Sequence, residues 1–126
     1  MSVADVAKSV IKSINDGDTL ATVGLPAANF HEGTVKLATV LLGKKLGGIY
    51  ITTSRPSSHI IKELEEAKAN LNDLYFVDLV SMTVGGSTDD ARSLYIESPT
   101  MLESILLNIT LLERRLKSKR RFVMFD

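Results

Sequence analysis

The sequence predicts a three-layer α/β/α domain on a mostly parallel sheet of about four strands, and three observations predict it. Short, mostly apolar segments at 19–23, 49–53, 74–80 and 122–126 alternate with stretches whose apolar residues recur every three or four positions. Strands separated by helices call for right-handed crossovers, and so for parallel neighbours. The last segment, Phe122-Val123-Met124-Phe125-Asp126, has consecutive apolar residues without alternation, the pattern of a strand buried on both faces.

Each element follows in turn. Val3, Val6, Val10 and Ile14 share one helical face, and Ser2 with Asp5 has the spacing of a capping box. Asn15-Asp16-Gly17-Asp18 ends that helix, Gly17 supplying a left-handed cap. Thr19-Leu20-Ala21-Thr22-Val23 reads as a first strand running into the breaker cluster Gly24-Leu25-Pro26. From Thr34 the pattern turns helical, with Leu37, Val40 and Leu41 on one face, and stops near Gly43. Gly47-Gly48 then leads into a second strand, Ile49-Tyr50-Ile51-Thr52-Thr53.

Pro56 opens a helix where its missing N–H costs nothing; Ile60, Leu64, Ala67 and Leu71 form its buried stripe. The third strand spans 74–80. Residues 81–93, with Gly85-Gly86 and Asp89-Asp90 and little periodicity, read as a loop. Thr100 with Glu103 makes a capping box, and Met101 or Leu102, Ile105, Ile109, Leu112 and Leu116 form the apolar face of the last helix. No repeat or linker interrupts the series, so residues 1–126 read as a single domain.

Composition narrows the function classes. The 126 residues are 44% apolar and 24% charged, ordinary values for a globular domain. Lysine plus arginine equals aspartate plus glutamate at 15 each, so whole-chain charge predicts no attraction to nucleic acid or an anionic membrane. Cysteine is absent, which excludes disulfides, thiolate metal sites and cysteine nucleophiles. The longest apolar runs are too short to cross a bilayer and the N-terminus lacks a signal-peptide pattern, so a cytoplasmic chain without membrane contact is expected. Tryptophan is absent and aromatics total 6%, which argues against a surface that stacks bases.

The order of segments resembles the RecA superfamily, and within it the KaiC-like ATPases common in archaea. An initial helix precedes strand 19–23 and the glycine-started loop at Gly24; a helix from Thr34 follows. Gly48-Ile49-Tyr50-Ile51-Thr52 before Arg55-Pro56 is similar to the family's second strand and the proline-started helix after it. Residues 122–126 resemble the apolar strand ending in aspartate called Walker B. The resemblance implies a P-loop NTPase-like fold. The family's domains continue past this strand, so an incomplete C-terminal part is expected.

The family's phosphate loop reads G-x-x-x-x-G-K-[ST], with backbone N–H groups around the phosphates, lysine on the terminal phosphates and a hydroxyl on magnesium. Here Gly24 and Gly33 are too far apart, no lysine precedes Thr34, and Glu32 brings negative charge to the turn. The family's glutamates after the second strand, which activate the attacking water, are replaced by Thr52-Thr53-Ser54. Gly24, Gly33, Thr34 and Asp126 are therefore vestigial nucleotide-binding positions. Phosphoryl transfer needs clamping and water positioning together, so the resemblance implies an inactivated ATPase without cofactor, a regulatory or assembly module of the kind used in signal transduction. A residual ATP–magnesium site, or a weak ATPase, is the alternative.

Arg114, Arg115, Lys117, Lys119, Arg120 and Arg121 place six basic residues in eight, leaving nine basic against fifteen acidic elsewhere. The cluster is a candidate nucleic-acid or partner patch; cations favoured at a helix C-terminus are the plainer explanation. His31-Glu32 reads as a polar loop tip, because nothing else converges on it as a metal or acid–base site. The fourth strand is expected centrally, between the third and the first, leaving the first strand as an open edge. A homo-oligomer, or a partner protein completing the sheet, would cover that edge.

Overall fold

In a computed structural model, which describes residues 3–15, 30–81, 92–95 and 102–125, alternation along the strands sorts apolar side chains onto two faces of one sheet. The described strands are β1 Gly47–Thr52, β2 Leu74–Asp78, β3 Ser93–Tyr95 and β4 Arg121–Phe125. They are all parallel, in the order β3-β2-β1-β4. The described helices are α1 Val3–Asn15, α2 Phe30–Gly43, α3 Ser57–Glu66 and α4 Leu102–Glu113.

Topology decides which helix covers which face. The β1–α3–β2 crossover moves one way across the sheet and β3–α4–β4 moves back, so right-handed connections put α3 and α4 on opposite faces. On the first face, Tyr50, Phe76 and Phe122 lie with Ala38, Leu41 and Leu42 of α2 and Ile60 and Leu64 of α3. Helix α1 packs outside α2 through Val6 and Ile11. The Tyr50 and Phe76 rings sit 5.5 Å apart, tilted by 37°, a favourable aromatic geometry. On the second face, Ile49, Ile51, Val77 and Leu79 meet Leu112 of α4 and Leu116 beyond it.

Two glycines make these contacts possible. A Cβ on Gly48 would overlap the Phe122 ring, and one on Gly47 would run into the Asp73 carboxylate and Leu116. Both residues belong to β1, which starts two residues before Ile49, where the sequence set the strand's first residue.

Helix ends follow local chemistry. Lys45 (φ 66°) and Lys68 (φ 58°) take the left-handed conformation just past α2 and α3. Leu46 N–H donates to Leu41 O and Ala69 N–H to Leu64 O, the six-to-one bond of a Schellman cap. The second cap ends α3 at Glu66, so Ala67, expected in its buried stripe, is exposed. Leu71 lies beyond the helix and is half-buried, whereas Ile60 and Leu64 are fully buried as expected.

Other expectations are corrected. Helix α2 begins at Phe30, not Thr34, so His31, Glu32 and Gly33 are helical and not a loop tip. Glu32 suits the first turn, near the positive end of the helix, and pairs with Lys36 at 2.7 Å across one turn. Within the region read as a loop, Ser93 opens the short strand β3, held to β2 by Phe76 N–H donating to Arg92 O.

Strand β4 lies beside β1, and β2 has β1 and β3 as neighbours; the last strand is therefore not next to the third. Nor is it buried on both faces: Val123 and Phe125 are 45% and 64% exposed, because α4 lies over β1 and β2. The expected first strand at 19–23, the Gly24 loop, Thr100 of the capping box and Asp126 lie outside the described residues.

Candidate functional site

Ligands of parallel α/β sheets bind at the carboxyl ends of the strands, which here present Thr52-Thr53-Ser54 after β1 and Asp78 at the end of β2. Helix α3 starts at this edge, and its N-cap, Pro56, makes no side-chain cap bond. Asp78 supplies the acceptor from across the sheet. Its Oδ2 accepts from Ser57 N–H at 2.8 Å and from the Ser81 hydroxyl at 2.5 Å. Its Oδ1 accepts from the N–H groups of Val80 and Ser81, each at 2.8 Å.

The side chain is fully buried. Burial pushes the Asp78 carboxyl up, but hydrogen bonds from Ser81, Ser57 and Val80 outweigh it and hold the group below its ordinary value. The chain's own carboxylate thus takes the place that a bound anion would have at this helix N-terminus.

The Thr52 hydroxyl is spent in the same way. Thr52 is fully buried; its hydroxyl donates to Arg55 O at 2.5 Å and accepts from Arg55 N–H at 3.3 Å. Arg55 in turn pairs with Glu63 of α3 at 2.7 Å. The loop after β1 is therefore closed on itself, with no carboxylate positioned by residues 52–54 to activate water.

Thr34 shows the same inward turn. Its side chain is 4% exposed, donates to His31 O at 2.9 Å, and accepts the Tyr50 hydroxyl at 3.1 Å. The polar tip of a core tyrosine is satisfied by the threonine that the family resemblance assigned to magnesium. Gly33 sits within α2, and Lys36 is exposed and paired with Glu32. Gly24 and Asp126 lie outside the described residues, so of the four vestigial positions the structure places only Gly33 and Thr34. Among the described residues no group of three or more His, Asp or Glu side chains could hold a metal ion.

The opposite edge of the sheet is basic. Asp73, just before β2, accepts the N–H groups of Lys117 and Ser118, each at 2.9 Å, and so pins the turn between α4 and β4. Partial burial raises the Asp73 carboxyl, and these bonds with the nearby Lys117 charge hold it low overall. Arg120 donates to Lys44 O at 3.2 Å, and Arg121 donates to Ser118 O at 2.9 Å. Lys44, 76 positions from Arg120 in sequence, and its neighbour Lys45 thereby join the end of the sheet where the exposed segment Arg114, Arg115, Lys117, Lys119, Arg120 and Arg121 lies.

Sequence reasoning missed Asp73, Asp78, Lys44 and Lys45. Only Asp78 carried a readable signal, a strand-ending aspartate with Ser81 at turn spacing. The chain matches no known family model, no curated protein and no solved structure.

Proposed function

We propose that the chain is a non-catalytic module of the RecA/KaiC-like type, acting as a regulatory or assembly subunit. The observation that carries this reading is Thr34, whose hydroxyl is buried against Tyr50 and so is unavailable to a magnesium–phosphate group. The filled N-terminus of α3 supports it: Asp78 would repel a phosphate there. Thr52, Thr53 and Ser54 supply no general base beside it.

Calorimetric titration with magnesium–ATP tests the proposal. No saturable heat is expected up to millimolar nucleotide, and magnesium-dependent binding in the micromolar range overturns it. Phosphate release that disappears in Asp126→Ala would favour a residual ATPase instead.

A second reading, nucleic-acid binding, is favoured by one observation: the turn at Lys44-Lys45 stands beside the Arg114–Arg121 segment, making the basic surface larger than the sequence run. It predicts retention on duplex DNA that weakens steeply with salt, since displaced counterions drive such binding. Salt-independent or absent retention rejects it.

A further inference from the structure

Helix α4 turns Ile105, Ile109 and Leu112 toward the sheet. On its other side Glu103, Leu107 and Thr110, with Arg114 in the turn just past its end, are exposed, spaced four, three and four residues apart. That spacing keeps a continuous seam along a helix. Leu106 and Leu111 flank it, and the three leucines are 55%, 60% and 41% exposed for Leu106, Leu107 and Leu111. Isolated exposed leucines are ordinary, but three within two turns of one short helix form a patch.

We propose that this seam is a two-fold self-association surface on which a second copy of the chain packs its own α4 antiparallel. The charges select both the occupant and its direction. With the copies antiparallel, Leu107 of each meets Leu111 of the other, and Glu103 of each faces Arg114 of the other. The two pairings are centred within about half a residue of each other, at the level of Asn108 and Ile109, close enough for a single two-fold axis to satisfy both.

A parallel copy would instead set glutamate against glutamate and arginine against arginine. The antiparallel pair also places each helix's positive end beside the other's negative end. The seam is thus its own complement. This inference goes beyond the functional reading and stands whether or not a nucleotide binds.

Sedimentation velocity on the full chain over a range of concentrations tests it, with circular dichroism confirming that each variant is folded. The wild-type chain is expected to dimerise reversibly, and Leu107→Asp to be monomeric at the same concentrations. Glu103→Arg and Arg114→Glu should each weaken self-association about tenfold or more, the equivalent of about 1.4 kcal/mol, yet form a one-to-one heterodimer when mixed. Should either single variant fail to fold, Glu103→Arg/Arg114→Glu in one chain restores both pairs and should dimerise. A wild-type monomer at every concentration overturns the proposal. So does a dimer indifferent to Leu107→Asp, a mixture that does not pair, or a folded double variant that stays monomeric.

Discussion

The two faces of the sheet are built from the same strands and covered very differently. The face carrying Tyr50, Phe76 and Phe122 is roofed by α2 and α3, with α1 outside them, and its central side chains are fully buried. The face carrying Ile49, Ile51 and Val77 has α4 over its middle, while Val123 and Phe125 on β4 remain largely exposed. Alternation alone would make the faces equal. The difference comes from where the crossovers run: both faces bury their central residues, but only the second leaves apolar surface open on β4.

The sharpest way to break this contrast is a pair of phenylalanines. Phe76→Ala, on the closed face, should cost about 3–5 kcal/mol in urea unfolding, as buried aromatic truncations do. Phe125→Ala, on the open face, should cost less than about 1 kcal/mol. Equal losses would mean the faces are energetically alike.

Next in size is Asp78, which joins β2 to the start of α3. Asp78→Asn should cost about 2–3 kcal/mol, because a buried acceptor of four hydrogen bonds becomes a mismatched amide. The acid limb follows from the same group. The Asp78 and Asp73 carboxyls are both held below their ordinary values, so their stabilisation is present above the unfolded-state range near pH 4 and is lost as pH falls through the lower folded-state values. Chemical denaturation between pH 7 and pH 2 should show that fall, and Asp78→Asn should flatten it. An unchanged acid limb in the variant would remove Asp78 from the account.

A smaller effect is expected at the Thr34–Tyr50 bond. Thr34→Val and Tyr50→Phe should each destabilise by about 1 kcal/mol, and a double-mutant cycle should return a coupling of about 0.5–1 kcal/mol. Strict additivity would mean that the Thr34–Tyr50 bond contributes nothing to stability. Smallest of all, Lys68→Gly should stabilise by about 0.5–1 kcal/mol, since its backbone already sits where glycine is at ease.

Much of this architecture was legible from residue order, and the illegible parts share a cause. Strands with runs such as Ile49-Tyr50-Ile51 and Leu74-Tyr75-Phe76-Val77 announce themselves locally, as does the helix behind Pro56. Strand β3 does not, because three residues carry no period and its identity comes from pairing with β2. The start of α2 was hidden by Gly33, which looks like a breaker, while the Glu32–Lys36 pair that favours helix spans one turn. The site was harder still. Thr34 meets Tyr50 sixteen positions on, and Asp73 holds Lys117 and Ser118 more than forty away. Neither contact has a sequence pattern.

The contrast between the faces is tested most directly by methyl NMR of the dilute chain with a soluble paramagnetic agent. Methyl signals of Val123 and Leu107 should be strongly broadened, while those of Ile60 and Leu64 persist. Val123 and Leu107 as well protected as Ile60 would contradict the open face, and with it the exposed seam on which the proposed self-association depends.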